Sequence, residues 1–282
     1  MKTINPKEVS TAEFHSYLLG AVAPRPIAFA STVDQAGNIN LSPFSFFNAF
    51  GANPPTLVFS PARRVRGNTT KHTLENILEV KETVINVVNY DMVEQTSLAS
   101  TEYEKGVNEF IKAGFTPLPS EKVRPPRVAE SPVQFECAVK DVISLGREGG
   151  AGNLIICEVL LAHVREEVLN EQGKIDPTLM HLVGRMGGDW YCRTSLENMF
   201  EVAKPLRKKG IGVDQLPEAI KKSHILTGND LGKLGNVEQI PSPKELEPVS
   251  VDEQKKRANP HEYAHQLLQS GNILAAWKVL LD

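Results

Sequence analysis

Val133-Gln134-Phe135-Glu136-Cys137-Ala138-Val139-Lys140-Asp141-Val142-Ile143-Ser144-Leu145 and Leu154-Ile155-Ile156-Cys157-Glu158-Val159-Leu160-Leu161-Ala162-His163-Val164 flank the run Gly146-Arg147-Glu148-Gly149-Gly150-Ala151-Gly152. Two long runs rich in β-branched residues, separated by turn residues, read as a long antiparallel hairpin. The glycines invite a phosphate-loop reading. No Gly-Lys-Ser/Thr follows them and no helix begins there, so they are read as the turn.

Upstream, Ile27–Val33 reads as a strand, Asp34-Gln35-Ala36-Gly37-Asn38 as a turn, and the segment from Ile39 as the strand's hairpin partner. Thr56–Ser60 and the β-branched Thr83–Val88 read as further strands. Helical signals are short. Ser10-Thr11-Ala12-Glu13 has capping-box spacing ahead of Phe14, Leu18 and Leu19, and Pro24-Arg25-Pro26 ends that helix. Thr73–Val80 reads as one or two turns with Leu74, Ile77 and Leu78 inward. Asp91-Met92-Val93-Glu94 is expected to cap a helix running toward Ser100, and Val107–Ala113 to form another ended by Gly114. The Pro-rich span Pro117–Pro132 is expected to be extended surface loop. Strands dominate from Ile27 to Val164 without regular βαβ alternation, so an antiparallel barrel fits better than a doubly wound sheet. The Gly-x-Gly-x-x-Gly turn of a Rossmann site is missing.

Beyond about Thr194 the character changes. Arg207–Asn236 is rich in Lys, Gly and Leu, Pro241-Ser242-Pro243 to Pro248 is linker-like, and Val251–Asp282 is helix-prone with a break at Gly271. The expected organisation is a main domain over residues 1–200 and a helical extension over 201–282 whose role stays open.

The 282 residues carry 41% hydrophobic content and a net charge of −3, enough apolar material for a large core and no global drive toward nucleic acid or an anionic membrane. Three widely spaced cysteines, Cys137, Cys157 and Cys192, fit a reducing compartment better than a disulfide scaffold, and with neither a Cys-x-x-Cys pair nor a His-x-x-x-His pattern read in the chain no metal site is expected. The N-terminal residues lack an apolar signal region and no window approaches the ~20 apolar residues of a membrane span. A cytoplasmic protein is expected.

The chemistry concentrates in Asn40–Asn76. Asn40-Leu41-Ser42-Pro43-Phe44-Ser45-Phe46-Phe47-Asn48 interleaves hydroxyls and amides with aromatics. Ser60-Pro61-Ala62-Arg63-Arg64-Val65-Arg66-Gly67-Asn68-Thr69-Thr70-Lys71-His72-Thr73 then brings cations and hydroxyls. No Asp or Glu occurs from Gln35 through Leu74. Ser60, Arg63, Lys71 and Thr73 offer the donors a phosphate needs, and a helix starting at Thr73 adds its dipole. Ser31, Thr32, Asn40, Ser42, Pro43 and Phe44 offer amides, hydroxyls and an aromatic surface to a planar ring. The combination suits flavin mononucleotide, FMN; the alternatives are a solvated basic loop and, for Phe46, Phe47 and Phe50, plain barrel core.

Pro24-Arg25-Pro26-Ile27-Ala28-Phe29-Ala30-Ser31-Thr32, Asn40–Asn48, Pro54-Pro55, Lys71-x-Thr73-x-x-Asn76 and Gly184-Arg185 together resemble the flavin reductase-like family, in collinear order over about Ser10 to Thr194. The resemblance implies a six-stranded antiparallel FMN-binding split barrel with short peripheral helices, a homodimer, and FMN in a groove at the subunit interface. It implies Ser31, Thr32, Asn40, Ser42, Pro43 and Phe44 on the ring and ribityl side, and Ser60, Arg63, Lys71 and Thr73 at the phosphate end. His181, just before Gly184-Arg185, falls where relatives often place a histidine near the flavin and nicotinamide; it is either a positioning residue or a histidine satisfied in the barrel wall. Arg185 would bind the donor's phosphate or a partner-chain carboxylate. The implied activity is NAD(P)H-dependent flavin reduction, with a partner oxygenase or another electron acceptor downstream. The alternative is an FMN-binding electron carrier or flavin store without NAD(P)H turnover.

Overall fold

In the computed structural model, which describes residues 1–206 and 209–281, the main sheet is built from β1 (Ala28–Val33), β2 (Ile39–Phe44), β3 (Phe47–Ala52), β4 (Pro55–Phe59) and β5 (Glu82–Val87), followed by the two halves of the long hairpin. A two-residue ladder, β6 (Pro117–Leu118) with β7 (Arg127–Val128), lies in the Pro-rich span before that hairpin, β8 (Val133–Ser144) and β9 (Asn153–Val164). A last small pair, β10 (Val183–Arg185) and β11 (Tyr191–Arg193), follows. Arg207, Lys208 and Asp282, which open the Lys- and Gly-rich stretch and close the helix-prone one, lie outside the described residues.

The seven strands of the main sheet are all antiparallel, in the order β2-β1-β5-β8-β9-β4-β3. That order contains its own closure. β2 and β3 stand at opposite margins, yet only Ser45 and Phe46 separate them along the chain. In a flat sheet, six gaps of about 4.8 Å would hold the margins about 29 Å apart. The three-residue step from Phe44 to Phe47 spans at most about 11 Å. The sheet must therefore curl until its margins meet. Counting β2 and β3 as one bent segment, the seven strands make the six walls of a split barrel. At the seam, the Phe44 and Phe59 rings lie 5.4 Å apart and the Ser60 amide donates to the Phe46 carbonyl at 2.9 Å.

Strand alternation places the core. Ala28, Ala30, Phe44, Phe59, Ile85, Ile155 and the two thiols of Cys137 and Cys157 face one buried cluster inside the barrel. Ile27, Phe29 and Leu41 point to the opposite face. There they pack under α3 (Val93–Leu98) and α4 (Glu109–Ala113), so β1 is buried on both sides. The β8–β9 hairpin runs from Val133 opposite Val164 to Ser144 opposite Asn153. Register shifts at Glu136/Cys137 and Val139/Asp141 add the twist a closed sheet requires. Its glycine turn does more than reverse the chain. Gly150 N–H donates to the Arg63 carbonyl at 3.0 Å, and the Arg63 amide donates to the Ala151 carbonyl at 2.8 Å. Gly149 lies so close to this loop that a Cβ there would come within 2.8 Å of the Val65 carbonyl oxygen.

Three expectations are corrected. In α2 (His72–Glu79) the buried arc is Thr73, Leu74, Asn76 and Ile77. A helix turns about 100° per residue, so Leu78 falls outside that arc and is exposed. Phe46 and Phe50 are not core: Phe50 is 69% exposed because it is the bulged residue between the pairs Ala49–Leu57 and Gly51–Thr56, and only Phe47 packs inward. Asp91 does not cap a helix, because a 3-10 turn over Tyr90–Met92 moves the helix start to Met92. The first helix, α1 (Thr11–Ala21), is capped by the Ser10 hydroxyl, which accepts from the Glu13 amide. Gly114 ends α4 at φ 73°.

By contact the chain divides into Met1–Phe200 and Glu201–Asp282. The second unit is helical: α5 (Glu218–Lys221), α6 (Gly228–Gly235), α7 (Pro243–Leu246), α8 (Glu253–Ala258), α9 (Pro260–Gln269) and α10 (Ile273–Leu281) surround Leu234, Leu268 and a fully buried Trp277. Gly271, at φ 79°, makes the break between α9 and α10. On α9, His261-Glu262-Tyr263-Ala264-His265 has the spacing of a metal-binding helix, which corrects the reading that the chain holds no His-x-x-x-His pattern. Here the Nδ1 atoms serve packing: His261 meets Ser223 Oγ at 2.7 Å, and His265 meets Asp230 at 2.8 Å. Among the described residues no third His, Cys, Asp or Glu joins them in a metal-holding group. Among the described residues no helix is long and apolar enough to cross a membrane.

Glu109 of α4 is nearly buried, and its carboxylate accepts the Leu41 amide of β2 at 2.9 Å. Burial pushes its pKa above the usual carboxylate range. A carboxyl whose pKa is raised on folding favours the native state at low pH, and that contribution is lost as pH rises through the folded value. Glu109→Gln keeps an acceptor for Leu41 and removes the titration. Its melting temperature should fall less than the wild type's from about pH 4.5 to pH 7; parallel pH profiles would contradict this account of Glu109.

Candidate functional site

The bend that closes the barrel also opens a groove beside it. Ser42, Pro43 and Phe44 of β2, Ser45 and Phe46 of the bend, and Ser60, Ala62, Lys71 and Ser100 line a hollow of about 210 Å³. Through Ala62 and Lys71 it adjoins a larger hollow of about 550 Å³, walled by Phe14 and Leu18 of α1 on one side and by Arg63, Arg64 and Arg66 on the other. Through Pro43, Ser45 and Ser100 it adjoins a third hollow of about 190 Å³, bounded by Ile27, Thr96, Arg185 and Tyr191. The shared residues fix the order: a cationic end, a middle of hydroxyls and apolar rings, and a far end with one arginine.

Local structure holds each part. Ser60 Oγ accepts the Asn153 amide of β9 at 3.1 Å, which fixes the chain as it leaves β4. The Arg63–Val65 backbone is held by the hairpin tip, as described. Arg63 turns back on its own loop, donating from Nε to Asn68 Oδ1 at 2.7 Å and from Nη2 to the Asn68 carbonyl at 2.6 Å. Arg64 donates from Nε to Glu102 Oε1 at 2.9 Å, and from Nη1 to Thr69 Oγ1 at 3.0 Å and to the Thr70 carbonyl. Lys71, at the N-cap of α2, reaches the same Glu102 oxygen at 3.4 Å. The Arg64 hydrogen bond and the Lys71 charge hold the Glu102 carboxyl below the usual carboxylate range. Next to Lys71, burial pushes the His72 imidazole down. The cations of a stretch that contains no acid in sequence thus meet one in space.

The residues singled out from the sequence fall into three groups. Ser42, Pro43, Phe44, Ser60 and Lys71 line the middle hollow, and Arg63 lines the cationic one with Lys71. Ser31, Thr32, Asn40 and Thr73 are enclosed behind the groove and line none of these three hollows. Ser31 Oγ donates to the Pro126 carbonyl at 2.5 Å, Asn76 Nδ2 donates to Thr32 Oγ1 at 3.2 Å, and Asn40 Nδ2 donates to Thr73 Oγ1 at 3.0 Å. These bonds pin α2 to β1 and β2, which sets where Lys71 stands. His181 is exposed at φ 47°, with its carbonyl accepting the Tyr90 amide at 2.9 Å, and it too lines none of the three hollows. Arg185 lies over the Tyr191 ring, 4.6 Å from its centroid, and donates to the Trp190 carbonyl at 3.4 Å.

The sequence reading passed over Arg25, Ser45, Ser100 and Glu102. Arg25 is 5% exposed and donates from Nη1 to the carbonyls of Leu19 and Val22, from Nη2 to that of Met186, and from Nε to Ser45 Oγ at 3.3 Å. It fastens the end of α1 and the chain after β10 to the bend. Burial, with Arg185 nearby, pulls its pKa down. Its signal was an arginine held between two prolines. Glu102 had no local signal, because it joins Arg64 and Lys71 from a separate loop.

A family model described as a flavin reductase like domain matches residues 20–188. An uncharacterized protein of Aquifex aeolicus is 36% identical over 187 residues, covering 66% of this chain and 93% of that protein. One from Halalkalibacterium halodurans is 38% identical over 190 residues, covering 67% and 90%. Among solved structures, nitrilotriacetate monooxygenase component B from Bacillus cereus superposes with a TM-score of 0.67 at 29% identity, over 72% of this chain and 98% of that one. The 2-nitrobenzoate 2-nitroreductase of Pseudomonas fluorescens superposes with a TM-score of 0.65 at 26% identity, over 77% and 100%.

Proposed function

The chain belongs to the flavin reductase-like family, and from that premise we propose that residues 1–200 form an FMN-binding oxidoreductase domain that uses NAD(P)H as electron donor. The observation that carries the reading is the order of the groove: cations at one end, hydroxyls with Pro43 and Phe44 in the middle, and Arg185 with Tyr191 at the other end. A dianionic phosphate on a polar chain ending in a flat ring matches that order of donors and surfaces. Lys71, Arg63, Arg64 and Ser60, with the first amides of α2 at Thr73, are assigned to the phosphate. Ser42, Pro43, Phe44 and the unpredicted Ser45 and Ser100 are assigned to the ring and ribityl side, with Ser31, Thr32 and Asn40 holding that wall from behind. When bound, the flavin supplies the hydride-accepting chemistry, and the protein supplies orientation and electrostatics.

His181 is assigned a positioning role for the donor, supported by its place at the corner leading into β10 and Arg185. A homodimer completing the groove accords with the exposed outer residues of β3, Phe50 among them. A reduced flavin then passes to a partner oxygenase or another acceptor, as the name of the Bacillus cereus relative, a monooxygenase component, suggests for that protein. Free thiols at Cys137, Cys157 and Cys192 support a reducing, cytoplasmic setting. Burial pushes the Cys157 thiol up to about 12, which suits core packing and not redox work. The helical unit beyond residue 200 lies outside the matched span and is given no part in this reaction.

Anaerobic mixing of the FMN-loaded chain with NADH, and separately with NADPH, should bleach the flavin's visible bands with at least one donor. Persistence of the bands with both would leave a carrier or flavin store and end the reductase reading. Lys71→Ala should weaken FMN binding by about 1.5–3 kcal/mol, the range for hydrogen bonds to charged groups, while riboflavin affinity stays nearly constant. An unaltered FMN dissociation constant would remove Lys71 from the phosphate end.

A further inference from the structure

Two of the cations at the groove's charged end are already paired. One oxygen of Glu102 lies 2.9 Å from Arg64 Nε and 3.4 Å from Lys71 Nζ. Glu102 is the solvent-facing member of the trio, its side chain 62% exposed against 18% for Arg64 and 31% for Lys71. Arg64 has partners besides Glu102, donating to Thr69 and to the Thr70 carbonyl, and the Lys71 backbone is set by the start of α2, which is docked through Thr73 and Asn76. Deleting the carboxylate would therefore leave both cations beside the middle hollow without their shared anion. Glu102 occupies the position an anionic ligand group would take. It does so from a loop outside the acid-free segment that supplies the cations of this end.

We infer that Glu102 is a specificity-determining residue that competes with the ligand's phosphate for Arg64 and Lys71, keeping a phosphorylated flavin exchangeable. The inference rests on the flavin reading of the groove and deepens it: FMN behaves as a ligand that comes and goes, in contrast to a permanently seated group. A flavin without phosphate gains nothing from those cations and is indifferent to Glu102. An incoming dianion must displace a monoanion held by two exposed charge pairs. Each such pair is worth roughly 0.2–1 kcal/mol, so the two together amount to about a two- to thirtyfold effect on affinity.

The test is a fluorescence titration of the full chain and of Glu102→Gln with FMN and with riboflavin, at low and high salt, with melting temperatures confirming that both proteins fold. Glu102→Gln should bind FMN about two- to thirtyfold more tightly and riboflavin equally well, and the FMN gain should shrink as salt screens the cations. Inorganic phosphate should likewise compete better with FMN in the variant. Equal or weaker FMN binding by Glu102→Gln overturns the inference, since Glu102 would then orient the cations and not oppose the ligand. An equal gain for both flavins overturns it too. Failure of the wild-type chain to bind either flavin is a different result: it removes the flavin reading itself, and this inference falls with it.

Discussion

The two-residue link between β2 and β3 is the constraint on which the rest of Met1–Phe200 depends. Strands at opposite margins of one sheet cannot be joined by Ser45 and Phe46 unless the sheet closes on itself. Closure makes an interior for Phe44, Phe59, Ile85 and Ile155. The bend also needs an anchor of its own. Arg25 provides it by gathering α1, the bend and the chain after β10 onto one guanidinium, and truncating it would leave three partly buried carbonyls without that donor.

Closure also decides where chemistry can occur. It brings β2 beside the chain leaving β4, so Ser42–Phe46 and Ser60–Lys71 form one wall of a continuous groove. The glycine tip of the β8–β9 hairpin then holds the arginine loop by backbone bonds at Arg63, with Asn68 Nδ2 donating to the Arg147 carbonyl at 3.0 Å. That leaves the Arg63 and Arg64 side chains to the groove's charged end. Arg63 is satisfied by hydrogen bonds to Asn68, which is uncharged, while Arg64 and Lys71 share the single carboxylate of Glu102. This end therefore keeps a net positive charge.

Much of this was legible in the sequence, for identifiable reasons. The hairpin, β1 with its turn, and the β-branched β5 carry strong local signals, and Gly114 and Gly271 mark helix ends that only a residue tolerant of positive φ makes cheaply. The succession along Asn40–Asn76, hydroxyls and aromatics first and cations last, could also be read from residue chemistry and is the order in which they line the groove. What was not legible is what depends on neighbours distant in sequence. Phe50 looks like core until a bulge rotates it outward. Leu78 looks inward until the docking of α2 fixes which arc is buried. Thr32, Asn40 and Thr73 read as candidate ligand contacts, and only the fold shows that their side chains also bond across β1, β2 and α2. Glu102 enters from a separate loop, so composition within the acid-free stretch could not reveal it. His261 and His265 were in plain view at metal-like spacing, and only the positions of Ser223 and Asp230 show how their Nδ1 atoms are used.

The central claim is that the groove beginning at the β2–β3 bend holds the flavin of FMN. The most direct measurement is the structure of the chain crystallised or soaked with FMN. The account expects electron density for the ring beside Ser42–Phe44 and for the phosphate at Arg64 and Lys71, with Glu102 displaced from both cations. Flavin density elsewhere on the chain, or a phosphate seated away from Lys71 with the Glu102 pairs intact, would contradict it.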